Sequence, residues 1–225
     1  MPYNKMHYST NAFLFDLDGV IVNTDRYHYL GWKKLADEQG WAFDEEVNDA
    51  CRGVPRMASL EVILRHNGVT LPEDQKHALA SRKNAYYVEL LQGIGEADVI
   101  PGAVAFLQQA RALDLKTALC SSSKNAPLVL SNLGLEPYFD TVVTGHDIER
   151  AKPDPQIFLL AAERLGERSE ACIVFEDAPS GVQGALAAGM RCFGIGSPEF
   201  LPQATWTARD FLQLDAQALS HRATV

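Results

Sequence analysis

The strongest structural signal in this chain is the stretch AFLFDLDGVIVNTD, which covers residues 12–25. Its first four residues, 12–15, are all apolar, and the run is too short for a helix before Gly19 interrupts it. This pattern is typical of a strand buried on both faces of a parallel sheet. Asp16 and Asp18 follow at the C-terminal end of that strand, where open α/β sheets bind their ligands. The two carboxylates favour a bound divalent cation, although acidic turn residues capping the strand would give the same pattern.

The composition excludes several classes of function. The chain has 225 residues, of which 47% are hydrophobic and 22% charged, so it can bury a core like an ordinary globular protein. Its formal net charge of −9 argues against general binding to nucleic acids or anionic membranes. No segment is apolar enough to cross a bilayer, and residues 1–11 lack the apolar stretch of a signal peptide, so we expect a cytoplasmic protein.

The cysteines predict neither a disulfide framework nor structural zinc. Cys51, Cys120, Cys172 and Cys192 are widely separated and form no C-x-x-C pair. Two of them, Cys120 and Cys172, lie inside apolar, strand-like runs, where a free cysteine behaves as a small hydrophobic residue. This usage also fits a cytoplasmic protein.

The remaining chain divides into a helical block and a region of alternating strands and helices. Between residues 25 and 96 apolar residues recur at helical spacing, and no convincing strand is present. From residue 97 onwards strands and helices alternate, which implies parallel strands, right-handed crossovers and helices on both faces. We therefore predict an α/β fold with a doubly wound parallel sheet: residues 1–24 and 97–225 form a Rossmann-like catalytic core, and residues 25–96 form an inserted helical cap domain.

The individual elements can be placed from the same patterns. Predicted strands cover residues 12–15, 117–120, 141–144, 172–175 and 192–195. Predicted helices cover residues 27–39, 57–66, 71–91, 103–112, 126–133, 155–165 and 179–188. The tail after Pro198 has little pattern, and we expect Phe211 and Leu214 to pack on the core.

The first four predicted strands are each followed by a polar cluster, and the clusters complement one another chemically. Taken singly, these residues have simple explanations as helix N-caps, turn residues or an exposed loop lysine. Because parallel strands end at one edge of a sheet, however, we expect all four clusters to meet there. Metal ligands, hydroxyls at a helix start and a neutralising cation are the groups that phosphoryl transfer requires. The clusters are Asp16 with Asp18, residues 121–125, Lys152, and Glu176 with Asp177.

These motifs resemble, in order, those of the haloacid dehalogenase-like phosphotransferase superfamily: Asp16-Leu17-Asp18-Gly19, Ser121, Lys152-Pro153 and Glu176-Asp177. The helical block resembles the small cap domain that this superfamily inserts after its first motif. The resemblance implies that Asp16 is a nucleophile forming an aspartyl phosphate, and that Asp18 is the general acid and base. It implies that Ser121 and Lys152 bind the transferring phosphoryl group. The implied Mg²⁺ ligands are Asp16, the backbone carbonyl of Asp18, and Asp177, with Glu176 supporting this shell.

A closer resemblance within the superfamily is to the β-phosphoglucomutase family, and it lies mainly in the helical block. The matching segments are Thr24, Tyr27-His28, Trp32, Arg52-Gly53-Val54-Pro55-Arg56, Ser59-Leu60 and Arg82-Lys83-Asn84, together with Ser121, Ser123-Lys124-Asn125 and Lys152-Pro153. The cap matches matter most, because caps vary with substrate whereas the core motifs do not. The implied substrate-binding residues are Thr24, His28, Trp32, Gly53, Arg56, Ser59, Lys83, Ser122, Ser123 and Asn125. Ser122 and Asn23 depart from the family, which has alanine and aspartate there.

The resemblance also implies more specific roles for some of these residues. His28 and Lys83 are implied to contact Asp18, and Arg56 is implied to bind a distal phosphate together with Ser123 and Asn125. Simpler explanations stay open at this point. His28 could be a structural histidine, Arg56 a solvated surface arginine, and residues 123–125 the first turn of the following helix.

Together these features predict a Mg²⁺-dependent sugar phosphomutase that interconverts β-glucose 1-phosphate and glucose 6-phosphate through an aspartyl-phosphate enzyme and a bisphosphate intermediate. The expected partners are a sugar phosphate and a bisphosphate primer, with no nucleic acid and no membrane, and we expect a monomer. The nearest alternative is a sugar-phosphate phosphatase of the same superfamily, in which water attacks the aspartyl phosphate. A non-catalytic binding protein on this scaffold is disfavoured, because the implied catalytic residues are all present.

Overall fold

A computed structural model describes residues 9–51 and 54–221 of the chain. The chain divides into two compact units, one formed by Met1–Val22 with Val99–Val225 and the other by Asn23–Asp98. We call them the sheet unit and the helical unit. The predicted cap, residues 25–96, lies within the helical unit and begins and ends two residues inside it.

The sheet unit contains, in the described part of the chain, a single parallel sheet of six strands in the order β3-β2-β1-β4-β5-β6. The predicted doubly wound parallel sheet is therefore confirmed. The sixth strand was not predicted, because its three residues carry no continuous apolar run. The strands are β1 (Ala12–Phe15), β2 (Lys116–Cys120), β3 (Thr141–Val143), β4 (Cys172–Glu176), β5 (Arg191–Ile195) and β6 (Trp206–Ala208).

Strand β1 lies in the middle of the sheet, and its residues are buried on both faces. Leu14 points to a cluster of aliphatic side chains on one face. Phe13 and Phe15 point to the other face, because side chains alternate along a strand. There they pack in an aromatic cluster with Phe106, Phe175 and Phe211. The continuous apolar run at residues 12–15 is thus explained, because each face of β1 packs against its own hydrophobic cluster.

The helical unit contains four α-helices in its described residues: α1 (Asp25–Gln39), α2 (Glu45–Asp49), α3 (Arg56–His66) and α4 (Glu73–Leu90). Helix α1 ends where Gly40 adopts φ 70°, a left-handed cap that glycine takes without strain. The short helix α2 was not predicted. Its N-cap is Asp44, whose side chain accepts a hydrogen bond from the Val47 amide at 3.0 Å.

The sheet unit also carries the helices α5 (Ala103–Ala112), α6 (Ala126–Leu133), α7 (Gln156–Leu165), α8 (Pro179–Ala187) and α9 (Ala216–Ser220). Helices α5 and α6 have the predicted bounds, whereas α9 was not predicted. In the tail, Phe211 is buried in the aromatic cluster as expected, and Leu214 is half-buried. All four cysteines are free and buried, which agrees with the prediction. None of the described helices is both long and apolar enough to span a membrane.

Candidate active site

The carboxyl ends of three neighbouring strands bring the predicted core residues to one edge of the sheet. Strand β1 pairs with β2 on one side and with β4 on the other. Asp16 and Ser121 directly follow β1 and β2, and Glu176 is the last residue of β4. The topology therefore places a carboxylate, a hydroxyl and a second carboxylate side by side, as expected for an open α/β sheet.

Lys152 bridges the ends of β1, β2 and β4 at this edge of the sheet. Its side chain is only 8% exposed, and its ammonium contacts Asp16 Oδ1 and lies 2.6 Å from Glu176 Oε1. A third hydrogen bond, of 2.9 Å, is donated to the backbone carbonyl of Cys120 at the end of β2. Burial lowers the pKa of Lys152, but the Asp16 and Glu176 carboxylates outweigh burial and hold that pKa above its ordinary value. Lys152 is therefore a fixed positive charge next to the predicted nucleophile.

Glu176 acts as an anchor for this lysine. Its Oε1 accepts from Lys152, and its Oε2 accepts from the backbone amides of Asp177 and Ala178 at 3.1 and 3.2 Å. Burial raises the pKa of Glu176, and the Lys152 ammonium limits that rise. Both carboxylate oxygens of Glu176 therefore accept hydrogen bonds, and Oε1 holds the Lys152 ammonium in place.

Asp177 lies beside the turn that follows β1. A side chain at Gly19 would meet Asp177 Oδ2 at 2.0 Å, and Gly19 has φ +80°, so this close approach requires glycine. Burial raises the pKa of Asp177 well above its ordinary value, and the carboxylates of Glu176, Asp16 and Asp18 raise it further. A cation bound at this edge of the sheet would reduce the repulsion among these carboxylates.

The predicted Mg²⁺ site can be tested against this donor set. Within residues 9–51 and 54–221, no group of three or more Asp, Glu, His or Cys side chains is arranged to hold a metal ion. The ligand set predicted for Mg²⁺ does not need three such side chains, since it combines the carboxylates of Asp16 and Asp177 with the backbone carbonyl of Asp18. These are all oxygen donors, which Mg²⁺ prefers, and the mutually repelling carboxylates would be relieved by its charge. The residues present therefore fit the ion.

The loop after β2 forms a chain of local hydrogen bonds before α6. Ser121 Oγ accepts from the Ser123 amide, and Ser123 Oγ accepts from the Asn125 amide, both at 3.1 Å. Ser121 is buried, Ser123 and Asn125 are half-buried, and Ser122 is exposed. The loop leads into the N-terminus of α6, a favourable position for an anion. The local hydrogen bonds and a role in phosphate binding are compatible.

In the helical unit, His28, Trp32 and Lys83 come together although Lys83 is far away in sequence. Lys83 Nζ lies 2.9 Å from His28 Nδ1 and 4.9 Å from the ring centroid of Trp32. Lys83 is 2% exposed and Trp32 is 3% exposed, so both lie in the interior of the unit. Burial lowers the pKa of His28 well below its ordinary value, and the charges of Lys83 and Arg56 lower it further.

The other predicted residues of the helical unit have separate surroundings. Thr24 is buried directly before α1, and Arg56 is the half-buried first residue of α3. Ser59 is buried, and its hydroxyl lies 3.4 to 3.5 Å from the carbonyls of Cys51, Val54 and Pro55. This arrangement favours a role for Ser59 in holding the loop before α3. Gly53 lies outside the described residues.

Three contributors to these sites were not identified from the sequence. The first is the Cys120 carbonyl, which binds Lys152 through its backbone and therefore leaves no sequence signal. Gly181 is the second, because a Cβ there would lie 1.9 Å from Glu176 Cδ. A glycine inside a helix that follows two carboxylates was a signal that could have indicated it. Tyr87 is the third, and its ring stacks on His28 at a centroid distance of 4.1 Å.

The chain is similar to known proteins over most of its length. The chain is 35% identical to β-phosphoglucomutase of Bacillus subtilis over 92% of its own length and 93% of that protein. It is 34% identical to the fructose-1-phosphate phosphatase YqaB of Escherichia coli, over 80% of this chain and 93% of that one. The crystal structure of β-phosphoglucomutase from Clostridium difficile superposes with a TM-score of 0.87 at 36% identity, covering 93% of this chain and 95% of the other.

The similarity to a mutase and to a phosphatase has a common basis in the core motifs. Residues 10–189 match the model of the haloacid dehalogenase-like hydrolase family, a range that includes Asp16, Ser121, Lys152 and Asp177. This range also contains the strands and loops that bring these four side chains to one edge of the sheet. The chain belongs to the haloacid dehalogenase-like hydrolase family.

Proposed function

We propose that this enzyme is a Mg²⁺-dependent sugar phosphomutase that interconverts β-glucose 1-phosphate and glucose 6-phosphate. The observation that carries the proposal is the His28–Lys83 pair inside the helical unit. A phosphatase completes its reaction with water, whereas a mutase must orient a sugar hydroxyl as the second acceptor. Burying Lys83 beside the half-buried His28 costs stability, and such costly polar groups are typical of functional sites. Both residues were predicted from the resemblance to the mutase family.

In the proposed reaction the Asp16 carboxylate attacks phosphorus, the bond to the leaving sugar oxygen breaks, and an aspartyl phosphate forms. Asp18 gives a proton to that leaving oxygen as general acid. It then takes the proton from the accepting sugar hydroxyl as general base. Lys152, positioned by Glu176, would neutralise charge on the transferred group, and Ser121 would donate a hydrogen bond to it.

For the metal, we propose that Asp16, the backbone carbonyl of Asp18, and Asp177 hold Mg²⁺. When bound, the ion supplies positive charge to the phosphoryl oxygens and to the crowded carboxylates. The raised pKa of Asp177 supports this assignment, because burial and the neighbouring carboxylates both disfavour its negative charge, which a cation would offset. Glu176 supports the shell indirectly by holding Lys152 and, through its Oε2, the Asp177 amide.

For the helical unit, we propose that His28 and Lys83 bind the sugar phosphate and that Arg56 anchors its second phosphate. The half-buried guanidinium of Arg56 can offer a planar, two-pronged donor to a phosphate. Burial lowers the pKa of Arg56, but an arginine stays charged at neutral pH. Thr24 and Trp32 would contribute to the same binding function from α1 and the residue before it.

A sugar-phosphate phosphatase is the second candidate. It is favoured by the similarity to the Escherichia coli phosphatase, which extends over 93% of that protein and has nearly the same identity as the mutase comparison. The core residues serve both activities equally, because both proceed through an aspartyl phosphate. The difference lies in the acceptor, which is a sugar hydroxyl in one case and water in the other.

A coupled assay distinguishes the two candidates. The enzyme with Mg²⁺ is given β-glucose 1-phosphate, with and without a bisphosphate primer, and glucose 6-phosphate and inorganic phosphate are measured in the same sample. The Asp16→Asn variant serves as a blank for both products. A mutase produces glucose 6-phosphate in large excess over phosphate and is accelerated by the primer. Stoichiometric release of phosphate and glucose, unaffected by the primer, would overturn the proposal in favour of the phosphatase.

A further inference from the structure

Tyr87 completes an aromatic and cationic cluster inside the helical unit. Its side chain is 1% exposed and lies on α4, one turn after Lys83. The ring stacks on His28 with a centroid distance of 4.1 Å and an interplanar angle of 21°. The same ring lies 4.9 Å from Lys83 Nζ, as does the ring of Trp32. Tyr87 therefore contacts both members of the His28–Lys83 pair.

We propose that Tyr87 is a positioning residue for the reaction, because its ring holds Lys83 against His28 and so keeps the His28 proton on Nε2. Trp32 assists from the α1 side. The inference rests on the proposed function where it concerns catalysis. The position of the proton on His28 is a property of the helical unit and can be tested separately.

The assignment of the proton follows from hydrogen-bonding chemistry. An ammonium can only donate hydrogen bonds, so at 2.9 Å the Nδ1 atom of His28 must accept one from Lys83. A neutral imidazole that accepts at Nδ1 carries its single proton on Nε2. His28 therefore offers a donor at Nε2 and cannot supply one at Nδ1. A sugar hydroxyl or phosphate oxygen is the class of ligand that such a donor would bind.

The surroundings of the pair explain why Lys83 stays in place. Aromatic ring faces attract cations within about 6 Å of the centroid, and the attraction is strongest where water is excluded. Gly31 on α1 leaves room for the lysine, because a Cβ there would lie 3.2 Å from Lys83 Cε. Without the Tyr87 ring, Lys83 would lose one of these faces and His28 would lose its stacking partner.

None of the charged and titratable groups described around His28 favours a positive charge on its imidazole. Lys83 on α4 and Arg56 on α3 both oppose a positive charge on the imidazole. Cys51, before α3, stays a neutral thiol, because burial raises its pKa to about 11. The phenol of Tyr87 is uncharged at neutral pH. The cluster therefore stabilises a neutral imidazole next to a charged lysine.

The chain offers a matched control for Tyr87. Tyr86 precedes it on α4 and also faces an ammonium, since Lys34 Nζ lies 4.1 Å from its ring centroid. Tyr86 is half-buried and pairs with the exposed Glu38. The experiment compares Tyr87→Leu and Tyr87→Phe with Tyr86→Leu, after circular dichroism has shown that each variant is folded. Tyr87→Phe keeps the ring and should behave like the wild type.

The first measurement is nitrogen-15 NMR of the histidine rings in the full chain, with His28→Gln used to assign the signal. In the wild type we expect an unprotonated Nδ1 and a protonated Nε2 throughout pH 5.5–8. Tyr87→Leu should bring the His28 titration back toward the ordinary range near pH 6.5, whereas Tyr86→Leu should not. A wild-type His28 with its proton on Nδ1, or a doubly protonated ring at pH 7, would overturn the inference even if Tyr87→Leu fails to fold.

The second measurement is the steady-state isomerisation with Mg²⁺ and bisphosphate primer. We expect Tyr87→Leu to lower kcat by roughly ten- to thirtyfold with little change in KM, and Tyr87→Phe to restore the rate. An unchanged kcat in Tyr87→Leu, or an equal loss in Tyr86→Leu, would overturn the catalytic role. If the enzyme proves to be a phosphatase, the isomerisation is absent in the wild type as well, and the NMR result alone decides the inference.

Discussion

The side chains of Lys152 and Lys83 are both largely shielded from solvent, but their charges are stabilised in different ways. Lys152 contacts two carboxylates and a backbone carbonyl, so its ammonium is part of a polar network. Lys83 contacts an imidazole nitrogen and two aromatic ring faces. The first arrangement suits a permanent charge beside a phosphoryl group. The second suits a lysine that sets the protonation of its histidine neighbour.

Arg56 gives a direct test of the distal phosphate site. If it anchors the second phosphate, its charged hydrogen bonds should contribute about 1.5–3 kcal/mol, so Arg56→Ala should lower kcat/KM for primed isomerisation by roughly 10- to 150-fold. Phosphoryl transfer from acetyl phosphate to Asp16 involves no distal phosphate and should be almost unchanged. Arg65→Ala, an exposed arginine on the same helix, is the control. Equal losses in both reactions would indicate damage to the helical unit instead.

His28 predicts how the free energy of unfolding depends on pH. Its pKa is lowered in the folded state, so below about pH 6.5 the unfolded chain binds a proton that the folded chain does not. Stability should therefore fall as the pH drops, by at most about 1.4 kcal/mol from His28 at pH 5.5. Urea denaturation at pH 7.5 and 5.5 measures this loss. It should shrink in His28→Gln and persist in His77→Gln, which alters an exposed histidine of α4. Equal pH dependence in all three proteins would contradict the prediction.

Helix α8 illustrates how an element is shaped around a single side chain. It starts at Pro179, two residues after Asp177, and its third residue, Gly181, lies against the Glu176 carboxylate. Glycine normally weakens a helix interior by about 1 kcal/mol relative to alanine. Here the missing side chain makes room for the carboxylate that holds Lys152. The lower helix propensity of glycine is therefore offset by the contacts that Glu176 makes in the site.

Gly181→Ala should therefore be destabilising despite the higher helix propensity of alanine. The new Cβ would overlap Glu176 Cδ at 1.9 Å, and relieving such overpacking costs roughly 1–3 kcal/mol, which exceeds the gain in propensity. We expect a lower melting temperature and a strong loss of activity, because Lys152 would move with Glu176. At Gly93, where a Cβ would meet no atom within 4 Å, the alanine variant should retain both. A stable and active Gly181→Ala would refute this account of α8.

The sheet brings more negative charge to one edge than any single strand contributes. The ends of β1 and β4 bring Asp16, Asp18, Glu176 and Asp177 to one edge, and Lys152 compensates only part of the negative charge. The folded protein should therefore bind a divalent cation that the unfolded chain does not, and binding to the folded state alone raises stability.

Magnesium should consequently raise the melting temperature of the wild type. At a concentration of about one hundred times Kd, the gain in unfolding free energy is roughly 2.7 kcal/mol. Asp177→Asn removes a half-buried carboxylate that lies among other carboxylates, so we expect it to be at least as stable as the wild type without metal and to lose most of the Mg²⁺ increment. Thermal melts with EDTA and with Mg²⁺ measure both effects. An undiminished increment in Asp177→Asn would place the ion elsewhere, and full activity in excess EDTA would exclude the proposed metal dependence.

Local patterns were sufficient for most of the fold and for the residues of the core site. The bounds of β1, α5 and α6 agree with their predictions, because apolar periodicity over a few residues reports directly on burial. The positions of Asp16, Ser121, Lys152 and Glu176 at one edge could also be predicted. Parallel strands must end together, so the order of the motifs along the chain was enough to group them.

Contacts between distant segments could not be predicted in the same way. Strand β6 has three half-buried residues, and its place in the sheet depends on pairing with β5. Whether Ser59 turns to backbone carbonyls, and whether Tyr87 stacks on His28, depends on how the helices pack against one another. Periodicity identifies the buried face of a helix but not the element that packs against it. The spacing of apolar residues is a property of one element, whereas the contacts between side chains depend on how two elements pack together.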